Sequence, residues 1–168
     1  MNLGYRETTN LENSMYEFLV AALATDSLTV KDDKGNNKEI TVRVGETFNA
    51  DWSLPTVSLY EDSELAPRGF IGNNRRIKDH LLIIDIRALD SRMRKDLTDW
   101  VTDTINDGFP FYEYTQSGDP DNPNKVQTGY VRVDFLFNRP LRLGDTVDMV
   151  DKYRQNISIN CGITLIGS

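Results

Sequence analysis

Between positions 79 and 107 the chain reads DHLLIIDIRALDSRMRKDLTDWVTDTIND, and the period of its apolar positions changes partway along. Up to Leu89 the pattern alternates. His80, Leu82, Ile84, Ile86 and Ala88 share one face of a strand; Leu81, Ile83, Asp85, Arg87 and Leu89 share the other. From Met93 the spacing lengthens to three and four, so Met93, Leu97, Trp100, Val101, Thr104 and Ile105 make one stripe of a helix. Asp90 or Ser91 suits its N-cap, and Gly108 its left-handed stop. The first strand face, nearly all apolar, is expected to carry the helices. The second is mixed, which predicts partial cover and an ion pair between Asp85 and Arg87.

The remaining elements are placed around this unit. Leu11, Met15, Phe18, Leu19, Ala22 and Leu23 predict a first helix over 11–25, with Asn10 as N-cap. A hairpin over 28–44 is expected, turning at DDKGNNK and returning through Ile40, Val42 and Val44. PTVSLYE at 55–61 predicts a strand with Pro55 at its start. Residues 62–78 carry Pro67, Gly69, Gly72 and Asn73-Asn74 and read as a long loop. FPFYEY at 109–114 predicts an aromatic strand, and the polar run 116–125 a protruding tip. In 126–137, Val131, Val133, Phe135 and Phe137 alternate with Tyr130, Arg132, Asp134 and Leu136, predicting one dry face. Residues 138–152 read as a connection, and 153–166 alternates through Ile157, Ile159, Cys161 and Ile163. The order predicts a single α+β domain over 1–168: a two-layer sandwich with two helices packed on one face of a mainly antiparallel sheet.

Composition narrows the function classes. The 168 residues are 39% hydrophobic and 27% charged, which suits one well-filled core. No apolar run is long enough for a membrane-spanning helix, and no secretory leader is expected. The net charge of −7 argues against general nucleic-acid binding. The lone Cys161, in an alternating apolar run, reads as a small core residue.

Candidate chemistry is sparse. His80 is the only histidine and reads as a strand-edge residue, with no nucleophile elbow near it. DPDNPNK at 119–125 lacks the central glycine and terminal glutamate of a calcium loop. No phosphate-cradling glycine motif occurs. Asp62, Asp85 and Arg87 occupy the order of a restriction-type nuclease site, but an arginine stands where such enzymes place a lysine. No metal or cofactor is therefore expected. Features that suggest partners are clearer. The 62–78 loop combines Arg68, Phe70, Ile71, Arg75 and Arg76. The 116–125 arm carries Asp119 and Asp121 and has no core residue of its own. Open sheet edges invite pairing with another chain, of the same kind or as a peptide strand. With Asp85 and Arg87, these residues are the candidate subunit or partner interface.

FLVAALA, then PTVSLYE, RGFIGNNRR running into HLLIIDIRALD, SRMRKDLTDWVTDTI with Arg94 and Leu97, and the late YRQNISINCGI together resemble the tail terminator and neck proteins of long-tailed bacteriophages. The likeness is one of layout over 11–166; the 28–44 hairpin and the 138–152 connection depart from it. The resemblance implies a non-enzymatic virion protein, assembled in the host cytoplasm as a ring, usually of six subunits. The ring would cap the tail tube and join it to the head-side connector, with DNA passing through the lumen without sequence-specific binding. A neighbouring neck or head-completion protein is the alternative it leaves.

Overall fold

The computed structural model describes residues 7–32, 34–45, 54–64, 79–115, 124–140 and 153–166. Its elements are α1 (Glu7–Asp26), β1 (Val30–Lys31), β2 (Asn37–Lys38), β3 (Thr41–Val44), β4 (Thr56–Glu64), β5 (Asp79–Arg87), α2 (Ser91–Ile105), β6 (Phe109–Thr115), β7 (Asn124–Pro140) and β8 (Arg154–Leu165). The main sheet has six strands in the order β3-β4-β5-β8-β7-β6, and β1 and β2 form a separate two-stranded ribbon. The fold is α+β, as the periodicities predict. Every neighbouring pair is antiparallel except β3 and β4.

β5 lies third in this order, between β4 and β8. Its Ile84 and Ile86 stand opposite Leu59 and Val57 of β4, and its Leu82 and Ile84 opposite Ile159 and Ile157 of β8. This layer, with Leu11, Met15 and Leu19 of α1 and Met93, Leu97, Val101 and Ile105 of α2, makes one continuous core. Burying several wholly enclosed aliphatic side chains, at about 1.5–3 kcal/mol each, is what holds the two layers together. The helices meet where Trp100 Nε1 donates to Asp26 Oδ2 at 2.9 Å. Phe18 of α1 stacks on Phe109 of β6 with ring centroids 5.7 Å apart.

Helix boundaries follow capping chemistry. Asp90 is extended and its Oδ1 accepts from Met93 N–H at 2.7 Å, so Asp90 rather than Ser91 caps α2. Gly108 stops the helix at φ +83°. Trp100 and Thr104 flank the buried stripe rather than fill it, and Thr98 takes the deeper place.

Four expectations need correction. α1 begins at Glu7, so Asn10 lies inside the helix instead of capping it. The 28–44 segment is not one hairpin: β1 pairs only with β2, and β3 joins β4 in parallel, because Thr41 N–H and Gly45 N–H donate to Pro55 and Leu59 carbonyls. The loop and connection are shorter than expected, since β4 runs through Glu64 and β7 through Pro140. The single dry face over 126–137 is broken by a bulge between Val133 and Phe135. Val131 and Val133 face Ile163 and Cys161 across the ladder, but past the bulge Leu136 takes the place opposite Ile159. Phe137 is turned to the other face and is 51% exposed.

Candidate functional site

The two faces of β5 each hold one polar cluster at the β4–β8 junction. On the face away from the helices, Asp85 stands opposite Ser58 of β4 and Asn156 of β8. Its Oδ2 lies 3.0 Å from Arg87 Nη2, and its Oδ1 accepts from Arg154 Nε at 2.7 Å. The expected Asp85–Arg87 ion pair is present and has a third member. It is also far better covered than expected, with Asp85 1% and Arg87 5% exposed. Two cations around one carboxylate in a dry setting make the acid a fixed acceptor.

On the helix-covered face, His80 is wholly buried, not at a strand edge. Its Nδ1 lies 2.7 Å from Glu61 Oε1. Glu61 is in turn reached by α1, because its backbone N–H donates to Glu12 Oε1 at 2.8 Å. Burial pushes the Glu12 carboxyl above its usual range; that hydrogen bond pulls it back, and the nearby Glu61 charge adds to the rise. Cys161 faces His80 across the ladder, is buried, and offers its thiol to the His80 carbonyl oxygen at 3.7 Å. Nothing in the sequence marked Glu12 or Glu61. Glu61 stands opposite Leu82 and reaches His80 diagonally on the same face.

The nuclease arrangement is not assembled. Asp62 is exposed, while Asp85 is buried in its ion cluster at the level of Ser58, four residues back along β4. Among the described residues no three His, Cys, Asp or Glu side chains converge as a metal site. No helix of the described residues is long and apolar enough to cross a membrane.

Surfaces for partners are more distinct than pockets for ligands. α1 seals the outer edge of β6. Ser14 Oγ accepts from Tyr112 N–H at 2.9 Å, and Asn10 Oδ1 accepts from Tyr114 N–H at 3.3 Å. Both side chains are buried there, which explains two polar residues on the inner stripe of α1. At the other edge, no described strand pairs with the outer side of β3. A groove of about 480 Å³ lies beside it, walled by Val20 and Leu23 of α1, Leu28, Ile40 and Val42. Exposed apolar side chains gather at the open ends of β7 and β8, where Val126 is 64% and Ile166 69% exposed, and again at Phe137.

Of the candidate interface residues, only Asp85 and Arg87 are described, and both are engaged inside the subunit. Arg68, Phe70, Ile71, Arg75, Arg76, Asp119 and Asp121 lie outside the described residues. Arg154 and Ser14 are not singled out from sequence, and Asn10 only as an N-cap. For Arg154 the signal existed, since it sits on the polar side of an alternating strand at the level of Arg87. No protein-family model matches the chain, and no curated protein is significantly similar to it in sequence.

Proposed function

We propose that this chain is a structural protein of a long-tailed bacteriophage, a tail terminator whose subunits close into a ring, six being the usual number. The ring caps the tail tube, joins it to the head-side connector and lets DNA pass through its lumen. The observation that carries the reading is the placement of exposed apolar side chains at two distant points of β7. Val126 stands near one end, the end where Leu165 of β8 and the following Ile166 lie at the level of Gly129 and Thr128; Phe137 stands near the other, on the sheet face that also holds Asp85. Eleven positions of strand separate Val126 from Phe137, roughly 35 Å. Two unlike patches this far apart suit a different neighbour on each side, the head-to-tail contact that generates rings, better than one self-complementary patch. Sealing of β6 by α1 removes that edge from strand pairing with a neighbour. The net charge of −7 suits a conduit that DNA crosses without adhering. The reading calls for no cofactor and no catalytic residue, and it places the protein in the virion neck.

The test is the mass and shape of the purified chain, alone and with tail-tube protein. Multi-angle scattering at multiples of 19.2 kDa and negative-stain rings with a central hole are expected. Phe137→Asp and Ile166→Asp should each reduce assembly while leaving the subunit folded. A strictly monomeric chain at high concentration that does not engage tube protein would overturn the reading.

A further inference from the structure

Two strand edges of the chain have no strand partner among the described residues, and they are unlike. The first is the outer side of β3. Thr41 and Gly45 N–H donate to Pro55 and Leu59 of β4. By the alternation of a strand, Val42 and Val44 therefore turn their N–H and C=O groups to the outer side. The second edge is the start of β7. Asn124–Gln127 pair with Tyr112–Thr115 of β6 on one side. On the other side, contact with β8 and the residue after it starts at Thr128 and Gly129. All of Asn124–Gln127 is exposed, and the segment is as long as β3.

Each edge carries an apolar feature of opposite shape. Beside β3 lies the groove of about 480 Å³ walled by Val20, Leu23, Leu28, Ile40 and Val42. On β7, Val126 projects and is 64% exposed. A recess and a projection of the same character, each next to strand groups that lack a partner, match in shape and in hydrogen-bonding need. Charge favours a second copy as the occupant. Copies with a net charge of −7 repel one another, so they meet best where each face is locally balanced. The charged residues lining the groove are one base and one acid, Lys38 and Glu39. The start of β7 brings one charge, Lys125, and Glu17 already pairs with it. The groove is thus suited to an uncharged strand end, which the chain itself supplies.

We infer that the start of β7 in one copy lies along β3 of the next as an added strand, with Val126 seated in the groove between α1 and β3. The contact joins unlike surfaces, so it repeats from copy to copy instead of stopping at a pair. It rests on the ring reading and names what the Val126 end of β7 meets on the neighbouring subunit.

Disulfide trapping in the full chain tests it. Val20 lines the groove and is 40% exposed, so Val20→Cys and Val126→Cys both alter surface positions, while the native Cys161 is buried. The double variant, oxidised mildly after assembly, should give a ladder at multiples of 19.2 kDa on a non-reducing gel. Each single variant should stay monomeric on the same gel. A ladder that is absent although scattering shows the double variant assembled overturns this contact and leaves the ring reading standing. A chain that scatters as a monomer overturns both. Covalent dimers from Val126→Cys alone would show like surfaces meeting, and crosslinking only to added tail-tube protein would give the groove another occupant; either overturns the inference. Val126→Asp is the second measurement. It should leave the urea midpoint unchanged and raise the concentration for half-assembly about tenfold or more. Unchanged assembly in that variant also overturns the contact.

Discussion

Arg154 Nε donates to Asp85 Oδ1 at 2.7 Å, diagonally across the β5–β8 boundary. The residue directly opposite Arg154 is Arg87. Two guanidinium groups facing each other across a ladder would repel. Asp85, one pleat away on the same face, resolves the conflict by taking one cation on each oxygen. Replacing it with Asn removes the charge that both guanidinium groups share, that of Arg87 buried and that of Arg154 partly exposed. Asp85→Asn is expected to lower the unfolding free energy by about 3–5 kcal/mol, measured by urea denaturation. A loss below about 1 kcal/mol would mean that the cluster is solvated in solution.

Ser14 both accepts from Tyr112 N–H and, with its own hydroxyl, donates to Asn10 O at 2.7 Å. Ser14→Ala strands the Tyr112 amide in a buried seam. The expected cost is about 1–3 kcal/mol in thermal or urea unfolding. The variant should also scatter more light on standing, because the β6 edge loses part of its cover.

Gly108 combines φ +83° with a close approach to β7: a Cβ there would run into the Val131 carbonyl oxygen. Gly108→Ala, in the link between α2 and β6, therefore combines strain with overlap against β7. A loss of about 2–4 kcal/mol is expected by denaturation, above the roughly 1 kcal/mol of a left-handed alanine alone.

Glu12 gives stability a pH dependence of known sign. Its carboxyl is raised above the ordinary 4.5, chiefly by burial, so the folded chain holds this proton more tightly than the unfolded chain. Its contribution is complete below 4.5 and is lost as pH rises through the folded value. Glu12→Gln should flatten this part of the stability–pH curve, read as denaturation midpoints at closely spaced pH values. A curve with the same slope in both proteins would assign the effect elsewhere.

The elements that carry the core were legible because local pattern and tertiary demand agree there. β5 alternates, α2 keeps a stripe, and Asp90 and Gly108 have the chemistry that ends a helix. What failed has a common cause: each feature depends on partners distant in sequence. The bulge at Asp134 moves Phe137 to the outside although its own alternation is unbroken. Asn10 looks like a cap because it precedes Leu11, yet Tyr114, 104 residues away, claims its side chain. β3 looks like a returning hairpin arm, and only the position of β4 makes it parallel. The ion cluster was half visible, since Asp85 and Arg87 share a face two residues apart while Arg154 is 69 residues away from Asp85. His80 stands out only as the lone histidine, and nothing near it in sequence points to Glu61, 19 residues away on β4.

The strand order also has a consequence for synthesis. β8, the last strand in chain order, is inserted between β5 and β7. Until Arg154–Leu165 has left the ribosome, the apolar β5 has a hydrogen-bonding edge on one side with nothing to pair with, and β6 and β7 are cut off from the β3–β4–β5 half. Among the described strands the two halves of the sheet are paired through a strand made some 75 residues after β5, a long-range closure of the kind that slows folding. The nascent chain therefore passes through a period in which its stickiest edge is open, and this is the stage at which a chaperone would bind it or a like chain would capture it.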